Sequence, residues 1–267
     1  MQALINGLRM NYSDEGNRNG IPLLFIHGFP FSSAMWNPQW EYFAKSFRVI
    51  TYDIRGHGAS EIGDAQFSLE YFIDDILSLL QYLHIPDAVF IGLSMGGYIA
   101  LRMYERHPEK FLALVLCDTK SEADTNEAKI RRAQQALQVK REGAEIFARA
   151  FAQAVFFEKS FQTNPNAVAS IKKIIASTSP LAIAGTLIAL AARTDTTHVL
   201  STISVPTLVL VGENDTVTPV ANSRTIAEKI LNADLKIISS AGHLSNLENA
   251  NEFNDALEQF LHNIFKK

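Results

Sequence analysis

The chain has a single cysteine in 267 residues, Cys117, so no intramolecular disulfide can form. Its place in the run "LALVLCDT" reads as a buried strand thiol. No apolar stretch is long enough to cross a bilayer, and the N-terminus has nothing resembling a secretory signal, so a cytoplasmic soluble protein is expected. Charged residues make up only 19% of the chain and the formal net charge is −4. That balance gives no electrostatic reason to expect nucleic acid or a membrane surface as partner. Neither a His-x-His-x-Asp-His cluster nor a cysteine pair is present to hold a metal. Gly-Lys-Ser/Thr is missing too, and "GLSMGG" lacks the Gly-x-Gly spacing of a dinucleotide loop. No metal and no cofactor is expected, and the partner sought is a small molecule.

What remains is a chain rich in apolar residues, at 47%, with the capacity for a large core. Two short alternating stretches flank Asn6-Gly7, which predicts a hairpin because both residues tolerate positive φ. Four later apolar runs end in loop-like residues: "PLLFIHGFP", "FRVITYDIRGHG", "AVFIGLSMGG" and "LALVLCDT". Two more, "PTLVLVGEND" and "LKIISSAGH", lie near the end. Helical patterns separate most of them. The clearest is "SLEYFIDDILSLLQYLH", with Phe72, Ile76, Leu79, Leu80 and Leu83 on one face and an entry at Ser68-Leu69. Near-continuous apolar strands alternating with helices predict an α/β fold built on a mostly parallel, eight-stranded sheet covered on both faces.

From about 120 to 200 the strand rhythm stops and only helical patterns appear, punctuated by Asn164-Pro165 and Ser179-Pro180. This predicts a helical cap (120–200) over a core formed by 1–119 and 201–267. Arg131, Arg132, Lys172 and Lys173 read as its solvated face.

In such a sheet, functional groups belong at the carboxyl ends of the strands, and the conspicuous polar residues fall there. "HGFP" (His27–Pro30) follows one strand. Ser94 follows another, hemmed by Gly92, Gly96 and Gly97, with a helix read from Tyr98 to Arg106. Asp215 follows the penultimate strand in "GENDTVTP", and His243 follows the last in "SAGHLSNLE". Gly-x-Ser-x-Gly between strand and helix, then an acid, then a histidine, is a nucleophile elbow with its triad in order. Each member answers a separate need. A serine hydroxyl is a poor nucleophile until an imidazole takes its proton, and the imidazole needs a carboxylate to fix its tautomer and stabilise its charged form.

On these stretches, together with "DIRGHGAS" (Asp53–Ser60), the sequence resembles the α/β-hydrolase superfamily over essentially its whole length. The resemblance implies Ser94 as nucleophile, His243 as base and Asp215 as acid. It also implies an oxyanion hole made by the backbone N–H groups of Phe29 and Met95. His27 and His57 would then be structural, while His84, His107, His198 and His262 carry no motif. Asp118, after "LALVLC", is a rival for the acid, since some hydrolases of this fold place it there, and Glu213 lies two residues from Asp215. Through "HGFPFSSAMW", "YDIRGHGAS" and "GLSMGGYIALR" the chain is similar to small bacterial carboxylesterases and 3-oxoadipate enol-lactonase-like hydrolases. The expected activity is hydrolysis of a small ester or lactone through an acyl-enzyme. A slowly turning-over small-molecule receptor, a cofactor-free perhydrolase and carbon–carbon bond cleavage stay open as alternatives. Phe31 and Trp36, with Phe29 and the cap's Phe156 and Phe157, are candidates to line an acyl pocket. On one helix those last two would point about 100° apart, leaving one to pack within the cap and one to meet substrate.

Overall fold

The computed structural model describes residues 1–265. Eight strands form one sheet: β1 (Gln2–Ile5), β2 (Leu8–Gly16), β3 (Pro22–Ile26), β4 (Arg48–Tyr52), β5 (Ala88–Leu93), β6 (Phe111–Cys117), β7 (Thr207–Gly212) and β8 (Asp234–Ile238). Their order is β1-β2-β4-β3-β5-β6-β7-β8. The first two neighbouring pairs are antiparallel and the other five are parallel. Asn6 and Gly7 turn β1 into β2 with φ values of 47° and 78°.

Outside the segment between β6 and β7 the helices are α1 (Asn37–Phe43), α2 (Leu69–Tyr82) and α3 (Met95–Arg106), then α9 (Val220–Lys229), α10 (Ser245–Glu248) and α11 (Ala250–Ile264). α1, α10 and α11 pack on one another, whereas α2 packs on α3. Every residue of β5 and β7 is buried, as two covered faces require. α2 starts where the Ser68 side chain accepts a hydrogen bond from the Tyr71 N–H, and it buries Phe72, Ile76, Leu79 and Leu80. Leu83 ends the helix as its C-cap and is only half-buried.

Between β6 and β7 lie α4 (Asn126–Glu142), α5 (Ala144–Val155), α6 (Ser160–Thr163), α7 (Pro165–Ser177) and α8 (Pro180–Ala191), with no strand. Asn164 and Ser179 cap the two helices that begin at prolines. The two ends of this helical insertion are fastened to each other where it leaves and rejoins the sheet. Arg193, buried to 6% exposure, pairs with the buried Asp124 at 2.8 Å and donates to the Glu122 carbonyl at 2.9 Å. The Thr196 N–H and hydroxyl both donate to the Ser121 carbonyl. Arg132, expected on a solvated face, instead reaches Asp124 at 2.5 Å and completes the cluster. Among the described residues no single helix is long and apolar enough to cross a membrane.

Removing Arg193 takes its buried partner from a carboxylate that is 2% exposed and leaves it to the partly exposed Arg132 and Lys120. Breaking a buried pair in this way costs about 3–5 kcal/mol at most. Arg193→Met is expected to lower the unfolding midpoint in urea clearly, whereas Arg131→Met, at an exposed position, leaves it in place.

Candidate active site

Ser94 is the residue between β5 and α3, and its own backbone carries the turn, at φ 54° and ψ −111°. A non-glycine residue there costs of order 1–3 kcal/mol and persists only where the surroundings impose it. The flanking glycines do that by permitting contact. A Cβ on Gly96 would lie 2.2 Å from the Ile26 carbonyl oxygen, and one on Gly92 would lie 2.4 Å from that of Gly96. Strand β3 and the start of α3 therefore press against each other beneath the serine. The Ser94 N–H is held by the Cys117 carbonyl, and the Thr119 hydroxyl donates to the Ser94 carbonyl. The helix begins at Met95, three residues earlier than its apolar pattern indicated, so its first turn abuts the serine directly.

The loops after β7 and β8 bring two more side chains to this point. His243 Nε2 accepts from the Ser94 hydroxyl at 2.9 Å, and its Nδ1–H donates to Asp215 Oδ2 at 2.8 Å. Asp215 is fixed from behind. Its Oδ1 accepts from the N–H groups of Val217 and Thr218, and its Oδ2 accepts from the Thr218 hydroxyl at 2.8 Å. Ser94, Asp215 and His243 are 9%, 5% and 3% exposed, so these charges interact with little water between them. Burial would lower the pKa of His243, but the charge and hydrogen bond of Asp215 outweigh it and hold the imidazole above its ordinary value. Burial acts the opposite way on Asp215, where the His243 charge and the hydrogen bonds prevail and keep the carboxyl low. A hydroxyl, an imidazole and a carboxylate in this chain can pass a proton away from oxygen as the oxygen attacks.

The rival acid does something else. Asp118 sits at φ 45° after β6, fully buried, accepting from the Gly212 N–H and from the Ser245 hydroxyl. No hydrogen bond joins it to His243. Burial, then the nearby Asp215 charge, pushes its carboxyl well above the usual range. Glu213 is exposed and accepts from the Ser240 N–H. His27 is used up by backbone: its Nε2 accepts from the Ile54 N–H and its Nδ1–H donates to the Gly28 carbonyl. Burial, with His27 beside it, holds His57 down to about 3, so it is neutral. The N–H groups of Phe29 and Met95 have no protein acceptor among the described residues, the condition that an oxyanion donor has to meet.

The aromatic residues require corrections. Trp36 is fully enclosed between Phe25 and Phe253 and is a core side chain. Phe156 and Phe157 do not share a helix, because α5 ends at Val155. Phe156 is buried against Phe161, and the Phe157 N–H is bonded to Glu248. Two phenylalanines with no role in the sequence reading pack on Phe29. Phe147 and Phe151, one turn apart on α5, stack at 5.4 Å. Both touch Phe29, and Phe151 also touches Phe31. Their four-residue spacing was a visible sign of a shared helix face. The same rings line a groove of about 340 Å³ between α4 and α5, together with Arg132, Val139, Val155 and Val217.

A serine on a strand–turn–helix elbow, backed by aspartate and histidine from the ends of the last two strands, defines the class of α/β hydrolases. The family model described as alpha/beta hydrolase fold matches residues 21–250, and the chain belongs to that family. It is 32% identical to 3-oxoadipate enol-lactonase 2 of Acinetobacter baylyi, over 93% of this chain and 91% of that protein. Among solved structures it is similar to a thermophilic esterase from Thermogutta terrifontis, with a TM-score of 0.94, 32% identity and 99% and 98% of the two chains covered. The enol-lactonase from Burkholderia xenovorans gives a TM-score of 0.91 at 30% identity, covering 98% and 99%.

The raised His243 pKa has a kinetic sign. A base must be unprotonated, so kcat/KM for an ester should rise with pH through a limb lying above the ordinary histidine value of about 6.5. Asp215→Asn removes the charge that raises it, so the limb should move to lower pH while the plateau falls. A pH–rate profile of both proteins checks this, and a limb that stays put would exclude Asp215 as the source.

Proposed function

We propose that this protein is a serine hydrolase that cleaves small carboxylic esters or lactones through an acyl-enzyme. The observation that carries the reading is the continuous chain from Ser94 Oγ to His243 to Asp215, at 2.9 and 2.8 Å, on a strained elbow. Ser94 Oγ attacks the substrate carbonyl as its proton passes to His243 Nε2. The carbonyl electron pair moves to oxygen, where the Phe29 and Met95 N–H groups receive it; one such donor is typically worth about 3–4 kcal/mol of barrier. Collapse expels the alcohol, which takes its proton from His243. Water then enters by the same sequence in reverse and releases the acid. Asp215 keeps Nδ1 protonated throughout. The names of the relatives, an esterase and enol-lactonases, support this substrate range.

In this reading the helical insertion acts as a cap. Phe147 and Phe151 line the groove between α4 and α5 and pack on Phe29, beside the Ser94 elbow, where they form a wall. That wall limits the acyl group.

Two measurements test the proposal. Ser94→Ala should fold normally and lose nearly all esterase activity, keeping at most about 10³–10⁴ over the uncatalysed rate. Near-wild-type hydrolysis would remove the serine mechanism. Phe151→Ala opens the wall, so preference across acetate, butyrate, hexanoate and octanoate esters should move to longer chains, by about fourfold in kcat/KM per methylene newly buried at about 0.8 kcal/mol. Trp36, packed in the core, offers the contrast: Trp36→Phe should leave the chain-length profile unchanged.

A further inference from the structure

The loop that carries His243 is held by the sheet end on one side, where the Asn214 N–H donates to the Ala241 carbonyl, and by the helical insertion on the other, where one carboxylate gathers loop and insertion. Glu248, at the end of α10, receives four donors. Its Oε1 accepts from the N–H groups of Gly242 and Leu244, the two neighbours of His243, at 2.9 and 3.2 Å. Its Oε2 accepts from the Phe157 N–H and the Ser160 hydroxyl of the insertion, at 2.8 and 2.6 Å. Four donors converging on two oxygens suit an ionised carboxylate, which needs no acceptor of its own. Three other contacts run along the same seam. The His243 N–H donates to the Val155 carbonyl, the last residue of α5, at 2.9 Å. The Asn164 amide donates to the Leu247 carbonyl. A Cβ on Gly242 would lie 2.6 Å from the Phe157 nitrogen, so the loop and the insertion are in backbone contact there.

We propose that Glu248 is a positioning residue for His243, and that it makes the seated insertion a condition of catalysis as well as a filter on substrate. The inference rests on His243 being the base, as set out above. Its physical content is leverage. His243 reaches Ser94 and Asp215 from a loop flanked by two backbone N–H groups that are both tied to one carboxylate. If Glu248 lets go, the residues on either side of His243 lose their anchor, and misplacement of about 1 Å can cost about 100-fold in rate. Phe147 and Phe151, which pack on Phe29, make none of the hydrogen bonds of this seam, so binding against them is spared. Phe147 and Phe151 on α5 therefore select, and the segment from Val155 to Asn164 positions.

The test compares Glu248→Gln, Ser160→Ala and Gly242→Ala with the wild type, with active sites counted by fluorophosphonate labelling of Ser94. Glu248→Gln sets an NH₂ against two of the four donors. Its kcat per labelled site should fall by about 10–100-fold, equally for acetate and hexanoate esters, with KM unchanged. Ser160→Ala should fall in the same pattern by less. Gly242→Ala, which wedges loop from insertion while leaving every charge in place, should also lower kcat, and it decides the matter if Glu248→Gln does not fold. Exchange of the His243 amide proton, bonded to Val155 in the wild type, should quicken in the variants, and the His243 Nδ1 proton should lose its hydrogen-bonded chemical shift. Unchanged kcat per site in folded Glu248→Gln, or an effect on KM alone, would overturn the proposal and leave Glu248 a stabilising residue. Should wild-type Ser94 neither label nor turn over esters, the hydrolase reading fails separately. The exchange and Nδ1 measurements still decide whether Glu248 holds His243.

Discussion

The site depends first on a backbone that few residues adopt willingly. Ser94 stands at φ 54° because β5 must turn into α3 within one residue, while β3 presses from beneath at Ile26. The two glycines that allow the approach have no side chains to give up space, and the serine bears the strain. Lifted in this way, its hydroxyl meets an imidazole from a loop about 150 positions further along the chain, at 2.9 Å. Every other feature of the site either sustains that meeting or leaves room beside it.

Two carboxylates beneath the histidine show how environment divides labour between identical groups. Asp215 faces His243 and is surrounded by donors, which favour its ionised form. Asp118 lies one strand away, fully buried, with its partners on Gly212 and Ser245. Those partners link the β7 end to the start of α10, so Asp118 braces the two loops that deliver Asp215 and His243. Burial raises one pKa and the neighbouring imidazolium-capable ring lowers the other. The helical insertion adds a second constraint from above, since its own ends are locked by the Arg193–Asp124 pair and its middle is seamed to the His243 loop.

The sequence itself determined the class of the fold and the strand ends that carry the site. Short apolar runs that end in loop residues and alternate with helical patterns read as strands covered on both faces, and the polar residues that terminate them collect at one edge of the sheet. Hence Ser94 and His243 were legible in the sequence, with the acid narrowed to Asp215 or Asp118, as were the hairpin at Asn6-Gly7 and the entry of α2 at Ser68. The absence of strand patterns between β6 and β7 marked the insertion in the same local way.

Tertiary structure decided whatever depends on contacts between segments remote in the chain. Whether Asp118 or Asp215 meets Nδ1 turns on loop geometry that no local pattern encodes. Aromatic residues were the hardest to place, because apolar character says that a ring is buried and not against what. Trp36 went to the core, Phe156 to Phe161, and the wall of the groove fell to Phe147 and Phe151. α5 also stopped one residue short of Phe156, releasing Phe157 to bond Glu248. Hydrophobic burial is non-directional, so pattern fixes the amount of it, whereas hydrogen-bond partners and packing neighbours exist only once the chain has closed on itself.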